Sequence, residues 1–180
     1  NPLSTQHSVL RQRLIGSLIE VVRSNLRQGR DDVAVFEVGK GYGRVDGRPH
    51  EWWRLGLALT GASAPRAWNR PLALFDLDDA KGLLELLARE AGLGPISLVP
   101  FTDSAIFHPG RSAMATARTA DGEALGLRAE VGELHPRLLE EHEIEHEATF
   151  GRVLAREPVE DLARVRARFE AADAQVLASK

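Results

Sequence analysis

Apolar positions along the chain recur with two different periods, which separate predicted helices from predicted strands. Between residues 10 and 26, Leu, Ile and Val return every three or four positions, which predicts a helix with one apolar stripe. A run at 33–38 is apolar and rich in β-branched residues, so it predicts a buried strand. In 52–60, leucines alternate with small or polar residues, which predicts a second strand. A second helix is predicted over 75–92, with Asp76 as its N-cap.

The second half of the chain predicts more strands than helices. Strands are expected at 96–101, 113–119, 124–134 and 149–156. Pro109 and Gly110 predict a turn before the second of these, Asp121 and Gly122 predict a hairpin turn, and Pro136 opens a short helix ending near Glu141. Hairpins separated by helices favour an antiparallel sheet, so the predicted fold class is α+β, with the helices on one face of the sheet.

Composition bounds the domain count and the function classes. The 180 residues are 43% hydrophobic and 27% charged, which suits one core domain, placed at 1–156, followed by a charged helical tail at 157–180. A net charge of -3 gives no basic footprint for nucleic-acid binding. The absence of cysteine excludes disulfides and thiolate sites and suits a cytoplasmic protein. No apolar run reaches the ~20 residues of a membrane helix. Because the chain opens with Asn1, we expect it to be a fragment of a longer protein.

One segment matches a zinc-protease pattern letter for letter. His142, Glu143 and His146 form an H-E-x-x-H sequence, in which two histidines on one helical turn would hold Zn²⁺ and the glutamate would act as general base. Such a motif sits mid-helix between apolar residues, whereas here it is surrounded by glutamates and a strand follows almost at once. The favoured interpretation is a solvated acidic turn with no metal.

Two further segments suggest anion chemistry. The GKGYG run at 39–43 could be a phosphate loop, but such a loop lies between a strand and a helix, and here a hairpin is predicted next. The glycines are therefore expected to relieve crowding or to bend the strand. His108, Arg111 and Ser112 could bind an anion or act as an acid/base site. The preferred alternative is a loop fixed by Pro109 and Gly110, with Arg111 pairing locally.

Six blocks occur in an order that resembles the catalytic-like core of the bacterial phenylalanine–tRNA ligase β subunits. They are NPLS with HSVLR in 1–11, FEVG at 36–39, LALTG at 57–61, FDLDDAKG at 75–82, FHPGRSA at 107–113 and GELHP at 132–136. The residues that carry the resemblance most directly are Leu10, Arg11, Phe36, Glu37, Gly39, His108, Pro109, Gly110, Arg111, Gly132, Glu133, His135 and Pro136.

The resemblance implies a fold, a pathway and a set of partners. The fold is a class II aminoacyl-tRNA synthetase-like antiparallel sheet flanked by helices. In this family the α subunit binds ATP and phenylalanine, whereas the β core is inactive and supports assembly of an (αβ)₂ heterotetramer and placement of tRNA(Phe). The resemblance therefore implies no catalytic, cofactor or metal residue in this chain, with ATP and Mg²⁺ used by the whole enzyme.

The chain also lacks the arginine that catalytic members carry after the aromatic residue of their second motif. Gly43 follows Tyr42 here, and Arg44 stands one place late, on the opposite face of a strand. Two alternatives remain open: a small zinc metallohydrolase using the segment at 142–146, and a stand-alone nucleotide- or amino-acid-binding synthetase paralogue.

Overall fold

The computed structural model describes residues 11–65, 67–119, 121–122, 125–145 and 148–153. These ranges hold three helices and six strands in the predicted order. The elements are α1 (Ile15–Arg27), β1 (Val33–Val45), β2 (Arg48–Thr60), α2 (Leu77–Glu90), β3 (Ser97–Pro100), β4 (Phe107–Arg118), β5 (Leu125–Leu134), α3 (Pro136–Glu141) and β6 (Ala148–Val153). Leu10, His146, the predicted boundary at 156 and the tail at 157–180 lie outside the described residues.

The strands form one antiparallel sheet in the order β1-β2-β6-β5-β4-β3. β1 extends to Val45, well past the predicted end at Val38, because its partner β2 continues in register as far as Arg48. Asp46 and Gly47 form the turn of this hairpin, with φ values of 49° and 76°. Tight hairpin turns with positive φ at both central residues favour an Asp-Gly pair.

The helices cover both faces of the sheet, so the prediction that they share one face is wrong. α2 packs on the face that carries Leu55 and Leu57 of β2. α1 and α3 pack on the other face, around Ala58 and Phe107. The reason lies in β2, where all six residues from 55 to 60 are buried rather than alternate ones. A strand that is buried on both sides requires a covering layer on each face.

The segment that precedes α1 crosses the outer strand β1. The backbone N–H of Tyr42 donates to the carbonyl of Arg11 at 2.9 Å, and Nε of Arg11 donates to the carbonyl of Lys40 at 3.2 Å. The segment approaches so closely that a Cβ on Gly41 would lie 2.8 Å from the carbonyl oxygen of Gln12. Gly41 therefore admits a neighbouring backbone, and Gly39 and Gly43 admit side chains, which confirms the prediction that these glycines relieve crowding.

The predicted cap of the second helix is present. The side chain of Asp76 accepts hydrogen bonds from the N–H groups of Asp78 at 2.8 Å and Asp79 at 3.0 Å, and the Asp79 carboxylate accepts from the N–H of Asp76 in return. This reciprocal arrangement is a capping box, which satisfies N–H groups that have no partner inside the helix. α2 itself begins at Leu77 and ends at Glu90.

Replacing Asp76 by alanine is expected to lower the free energy of unfolding by about 1 kcal/mol, because it leaves those N–H groups without their acceptor. Urea denaturation followed by circular dichroism measures the change. Glu85→Ala, at an exposed position in the middle of the same helix, serves as the matched control and is expected to stay within about 0.5 kcal/mol. Equal effects of the two substitutions would contradict the capping role.

Neither α1 nor α2 combines the length and the hydropathy that a bilayer crossing requires, and the same holds for the rest of the described chain.

Candidate functional site

Two of the family blocks lie side by side on β4 and β5. Phe107 pairs with Leu134, and Ser112 pairs with Gly132. The four residues 108–111 of β4 therefore lie opposite a single residue of β5, Glu133, which makes a pronounced bulge. The predicted turn at 109–110 is wrong in one respect, because these residues lie within β4 and do not precede it.

The bulge is held by hydrogen bonds inside the block. Nδ1 of His108 accepts from the N–H of Gly110 at 3.1 Å. The single hydroxyl proton of Ser112 is shared between the carbonyl oxygen of His108, 2.9 Å from Oγ, and that of Phe101. Opposite it, a Cβ on Gly132 would lie 2.6 Å from Cβ of Ser112. Nδ1 of His108 and Oγ of Ser112 thus hold the backbone of the bulge.

Arg111 forms an ion pair across the sheet. Its Nε lies 2.6 Å from Oε2 of Glu133, whose side chain is only 17% exposed. Glu133 stands on the neighbouring strand, directly opposite the bulge that contains Arg111. The two most specific blocks, FHPGRSA and GELHP, therefore form one interlocked unit.

The end of the second block builds the junction to α3. His135 is the N-cap of this helix, its Nδ1 accepting from the N–H of Arg137 at 3.2 Å, and Pro136 stands in the first turn. The N–H of His135 donates to the carbonyl of Ile106 at 2.7 Å. This histidine serves as a cap, and the predicted short helix at 136–141 is confirmed.

A second pair of blocks meets where the start of the chain crosses β1. The guanidinium of Arg11 donates to the carboxylate of Glu37, and Oγ of Ser17 donates to the same carboxylate at 2.5 Å. Glu37 and Gly39 face α1 and the crossing segment, whereas Phe36 lies on the opposite face with 59% of its surface exposed.

The face of β1 that carries the glycines is filled by side chains of this chain. A Cβ on Gly39 would lie 2.3 Å from the Arg11 guanidinium, and one on Gly43 would lie 2.9 Å from the ring of Trp52. The guanidinium of Arg54 lies over that ring, with 5.4 Å between its central carbon and the ring centroid. β1 continues directly into β2, so the strand-to-helix geometry of a phosphate loop is absent at 39–43.

The zinc-protease pattern begins where its helix ends. α3 ends at Glu141, and Glu143 has a φ of 54°, so the first two pattern residues stand in a turn. Nδ1 of His142 lies 3.5 Å from a carboxylate oxygen of Glu20, and the carboxylate of Glu143 accepts from Arg23 at 3.3 Å and from Arg27. A zincin-type site needs both histidines on one helical turn, and α3 does not supply it. Among the described residues, no three His, Asp or Glu side chains are grouped to hold a metal ion.

The ion pairs of Glu143 make the stability of the fold depend on pH. Hydrogen bonds from Arg27 and then Arg23 hold the pKa of the Glu143 carboxyl below its ordinary value. Because the folded-state pKa is the lower one, the stabilisation is present above the unfolded-state value of about 4.3 and is lost as the pH falls through the folded-state pKa. Glu143→Gln is therefore expected to destabilise the fold at pH 7, and the difference from the parent chain should shrink below about pH 4.

Carboxyl NMR titration measures that pKa directly. Arg27→Gln is expected to raise the pKa of Glu143 towards its ordinary value, whereas Arg30→Gln, at an exposed position three residues on, serves as the control. A pKa that does not respond to Arg27→Gln would contradict the assignment of its cause.

Sequence patterns missed an apolar groove between α2 and the first two strands. It encloses about 200 Å³ and is lined by Ala34, Val35, Phe36, Leu55, Leu57, Leu59, Leu83, Leu84, Leu86 and Leu87. The lining is almost entirely apolar, so it offers no acid, base or metal ligand. The leucine alternation of β2 and the leucine pairs of α2 are its sequence signal, but only their juxtaposition creates it.

The fold is shared with a solved aminoacyl-tRNA synthetase. A pyrrolysyl-tRNA synthetase from Desulfitobacterium hafniense superposes with a TM-score of 0.52 at 21% identity, over 87% of this chain and 49% of that one. The predicted fold class, an α+β, class II synthetase-like antiparallel sheet flanked by helices, is confirmed.

Similar sequences identify the family to which the chain belongs. The chain is 37% identical over 146 residues to the phenylalanine–tRNA ligase β subunit of Symbiobacterium thermophilum, which covers 80% of this chain and 16% of that protein. It is 33% identical over 145 residues to the corresponding subunit of Neisseria meningitidis, covering 80% of this chain and 17% of that protein. The chain thus spans about a sixth of the length of these relatives. Residues 1–152 match the family described as the phenylalanyl tRNA synthetase beta chain CLM domain. The six blocks, the sheet they build and these matches agree, and the chain belongs to the CLM-domain family of phenylalanyl-tRNA synthetase β chains.

Proposed function

We propose that this chain is the non-catalytic core of a phenylalanine–tRNA ligase β subunit, with residues 1–156 as its domain. Its role is to support assembly with the catalytic α subunit in an (αβ)₂ enzyme and to help place tRNA(Phe) for aminoacylation in the cytoplasm. The whole enzyme is a ligase that uses ATP and Mg²⁺, and this domain holds neither.

The filled face of β1 is the observation that carries the proposal. The position after Tyr42 is Gly43, whose missing side chain makes room for Trp52. Arg44, the next residue, is exposed, and it faces away from Trp52 because neighbouring residues of a strand point to opposite faces. A surface that stabilises a phosphate in a reaction needs cationic groups aimed into an open site. Here Arg11, Trp52 and Arg54 occupy that space themselves.

The family blocks support the same role. The Arg111–Glu133 pair joins β4 to β5, and the Arg11–Glu37 pair joins the start of the chain to β1. Both pairs link elements of this chain to each other, which is the work of residues that shape a scaffold.

Two measurements on the purified chain test the proposal. Isothermal titration with ATP and with phenylalanine is expected to give no saturable heat, while the catalytic α subunit serves as the positive control. Mixing the chain with purified α subunit is expected to give a complex by native mass spectrometry. Saturable ATP binding by the chain alone would overturn the non-catalytic role. Failure to bind an α subunit that does bind the full-length β subunit would overturn the assembly role of this domain.

A further inference from the structure

The outer half of the β1–β2 hairpin gathers cationic and aromatic side chains on one face. Alternate residues of a strand share a face, and the alternate residues at this end of β2 form what we call the basic row. The basic row consists of Arg48, His50, Trp52 and Arg54. The residues paired with it on β1 are three glycines and a valine, so β1 adds no polar side chain to this part of the face.

The carboxylates of the hairpin lie away from the basic row. Of the two acidic residues in this half of the hairpin, Asp46 lies in the turn, and Glu51 lies on the other face, where it pairs with Lys40 at 2.5 Å. Glu37 shares the face of the basic row, but the guanidinium of Arg11 already binds it. The face therefore carries a local positive charge in a chain whose net charge is -3, and it suits an anionic partner.

The end of the basic row nearest the turn is open to solvent. Arg48 and His50 are exposed, whereas Trp52 and Arg54 are half-buried, and the ring of Trp52 packs against Gly43. The inner part of the face is therefore filled by the protein itself, and the outer part presents one guanidinium and one imidazole. The imidazole has an aromatic neighbour, because its centroid lies 4.6 Å from that of the Trp52 ring.

Rings beside a guanidinium have the chemistry that binds an unpaired nucleic-acid strand. A phosphate accepts charge-assisted hydrogen bonds from arginine, and an unpaired base stacks on an aromatic or imidazole ring. Arg48 and His50 stand two positions apart, about 6.8 Å along the strand, so a phosphate and a base of one RNA strand can contact them together. A duplex keeps its bases stacked inside, so it would use the arginine but not the rings.

We propose that the basic row binds an unpaired RNA strand, with Arg48 on a phosphate and the His50–Trp52 ring pair on a base. The inference rests on the proposed role of this domain in placing tRNA(Phe), whose single-stranded parts would supply the strand. Arg54 holds the Trp52 ring through a cation–π contact, with 5.4 Å between its central carbon and the ring centroid. The basic row thus positions RNA and takes no part in the chemistry of the ligase.

Fluorescence anisotropy with a labelled RNA of about 12 nucleotides tests the proposal on the purified chain. The RNA is used as a single strand without self-complementarity and as a duplex with its complement, and polyglutamate serves as a polyanion without bases. Arg48→Gln removes the phosphate contact. Arg30→Gln, at an exposed position near the opposite end of β1, is the matched control. His50→Ala removes the ring, and His50→Phe keeps one.

The parent chain is expected to bind the single strand more tightly than either the duplex or polyglutamate. Arg48→Gln should reduce the slope of the logarithm of the binding constant against the logarithm of the salt concentration by about 0.7, the value for one phosphate of a single strand. Arg30→Gln should leave this slope unchanged. His50→Ala should weaken binding about tenfold, and His50→Phe should retain the affinity of the parent chain. A cooperative thermal transition verifies that each variant is folded.

Equal binding of the single strand and the duplex, or no binding of either at low salt, would overturn the proposal. An Arg48→Gln chain with the salt slope of the parent, or a His50→Ala chain with its affinity, would contradict the phosphate contact or the base contact. Polyglutamate that binds as tightly as RNA and depends on Arg48 would show that the partner is an acidic protein surface.

Assembly with the α subunit is measured separately by native mass spectrometry, which distinguishes this inference from the proposed function. A chain that assembles but shows no effect of Arg48→Gln on RNA binding contradicts this inference alone. A chain that binds RNA through Arg48 but does not assemble contradicts the assembly role alone.

Discussion

Replacing Phe107 by alanine is expected to lower the free energy of unfolding by about 3–5 kcal/mol. The ring is fully buried and lies in the cluster that joins α1 to α3, together with Leu134 and Ile144. Removing the ring loses the free energy of its transfer from water to the core. It also leaves a cavity, because the surrounding residues relax into the empty space only in part. Urea denaturation followed by far-UV circular dichroism measures the difference in the free energy of unfolding. The dependence of that free energy on urea concentration is expected to be the same for both chains.

Trp68→Ala is the control for that measurement. Trp68 is also a large aromatic residue, but 97% of its surface is exposed, so its loss is expected to change the free energy of unfolding by less than about 0.5 kcal/mol. A Phe107→Ala chain as stable as the Trp68→Ala chain would contradict the burial of Phe107 in the cluster that it forms with α1 and α3.

Gly61→Ala is expected to destabilise the chain by about 2–5 kcal/mol, for two reasons that add. Gly61 has a φ of 80°, a conformation that an L side chain rarely adopts. A Cβ there would also lie 2.2 Å from the carbonyl oxygen of Asp31 and 2.6 Å from Oδ1 of Asp32. The same Oδ1 accepts from the N–H of Ala62, so the clash disturbs a hydrogen bond that fixes the chain after β2.

Gly29→Ala separates the two contributions. Gly29 also has a positive φ, 72°, but a Cβ there would have no neighbour within 4 Å. Its replacement is therefore expected to cost about 1–2 kcal/mol from backbone strain alone. Denaturation of both variants under the same conditions yields the steric part as a difference. If the two costs are the same, Asp31 does not approach Gly61 as closely as the structure shows.

Local sequence signals predicted those parts of the fold that depend on neighbours in the chain. Asp76 with its acidic followers predicted the cap of α2, and Pro136 predicted the short α3. The hairpin turn at Asp46 and Gly47 is likewise decided locally, since an Asp-Gly pair adopts the required positive φ values. Each of these features is decided within a few residues.

Features that depend on pairing between distant residues were predicted less well. The run 55–60 is buried on both sides because one helix from each side packs on it, and periodicity within β2 does not reveal that. The bulge at 108–111 depends on the register between β4 and β5, so Pro109 and Gly110 alone suggested a turn.

In the candidate site, too, local features were predicted and contacts between distant residues were not. The six blocks identified the family, yet the sequence did not show that Arg111 meets Glu133. The apolar groove escaped prediction because its two walls, Phe36 and Leu83, lie 47 positions apart in the sequence. Its lining residues individually satisfy the ordinary pattern of a core.

The segment that crosses β1 also bears on self-association. An outer strand presents unpaired backbone groups that can add a strand from another molecule, which is a common start of aggregation. Arg11 occupies such groups at Lys40 and Tyr42, and at the other margin of the sheet β3 has only four residues and ends in Pro100. Both margins are thus poor templates for a further strand. A β-rich domain with this design is therefore expected to resist polymerisation through the margins of its sheet at high protein concentration.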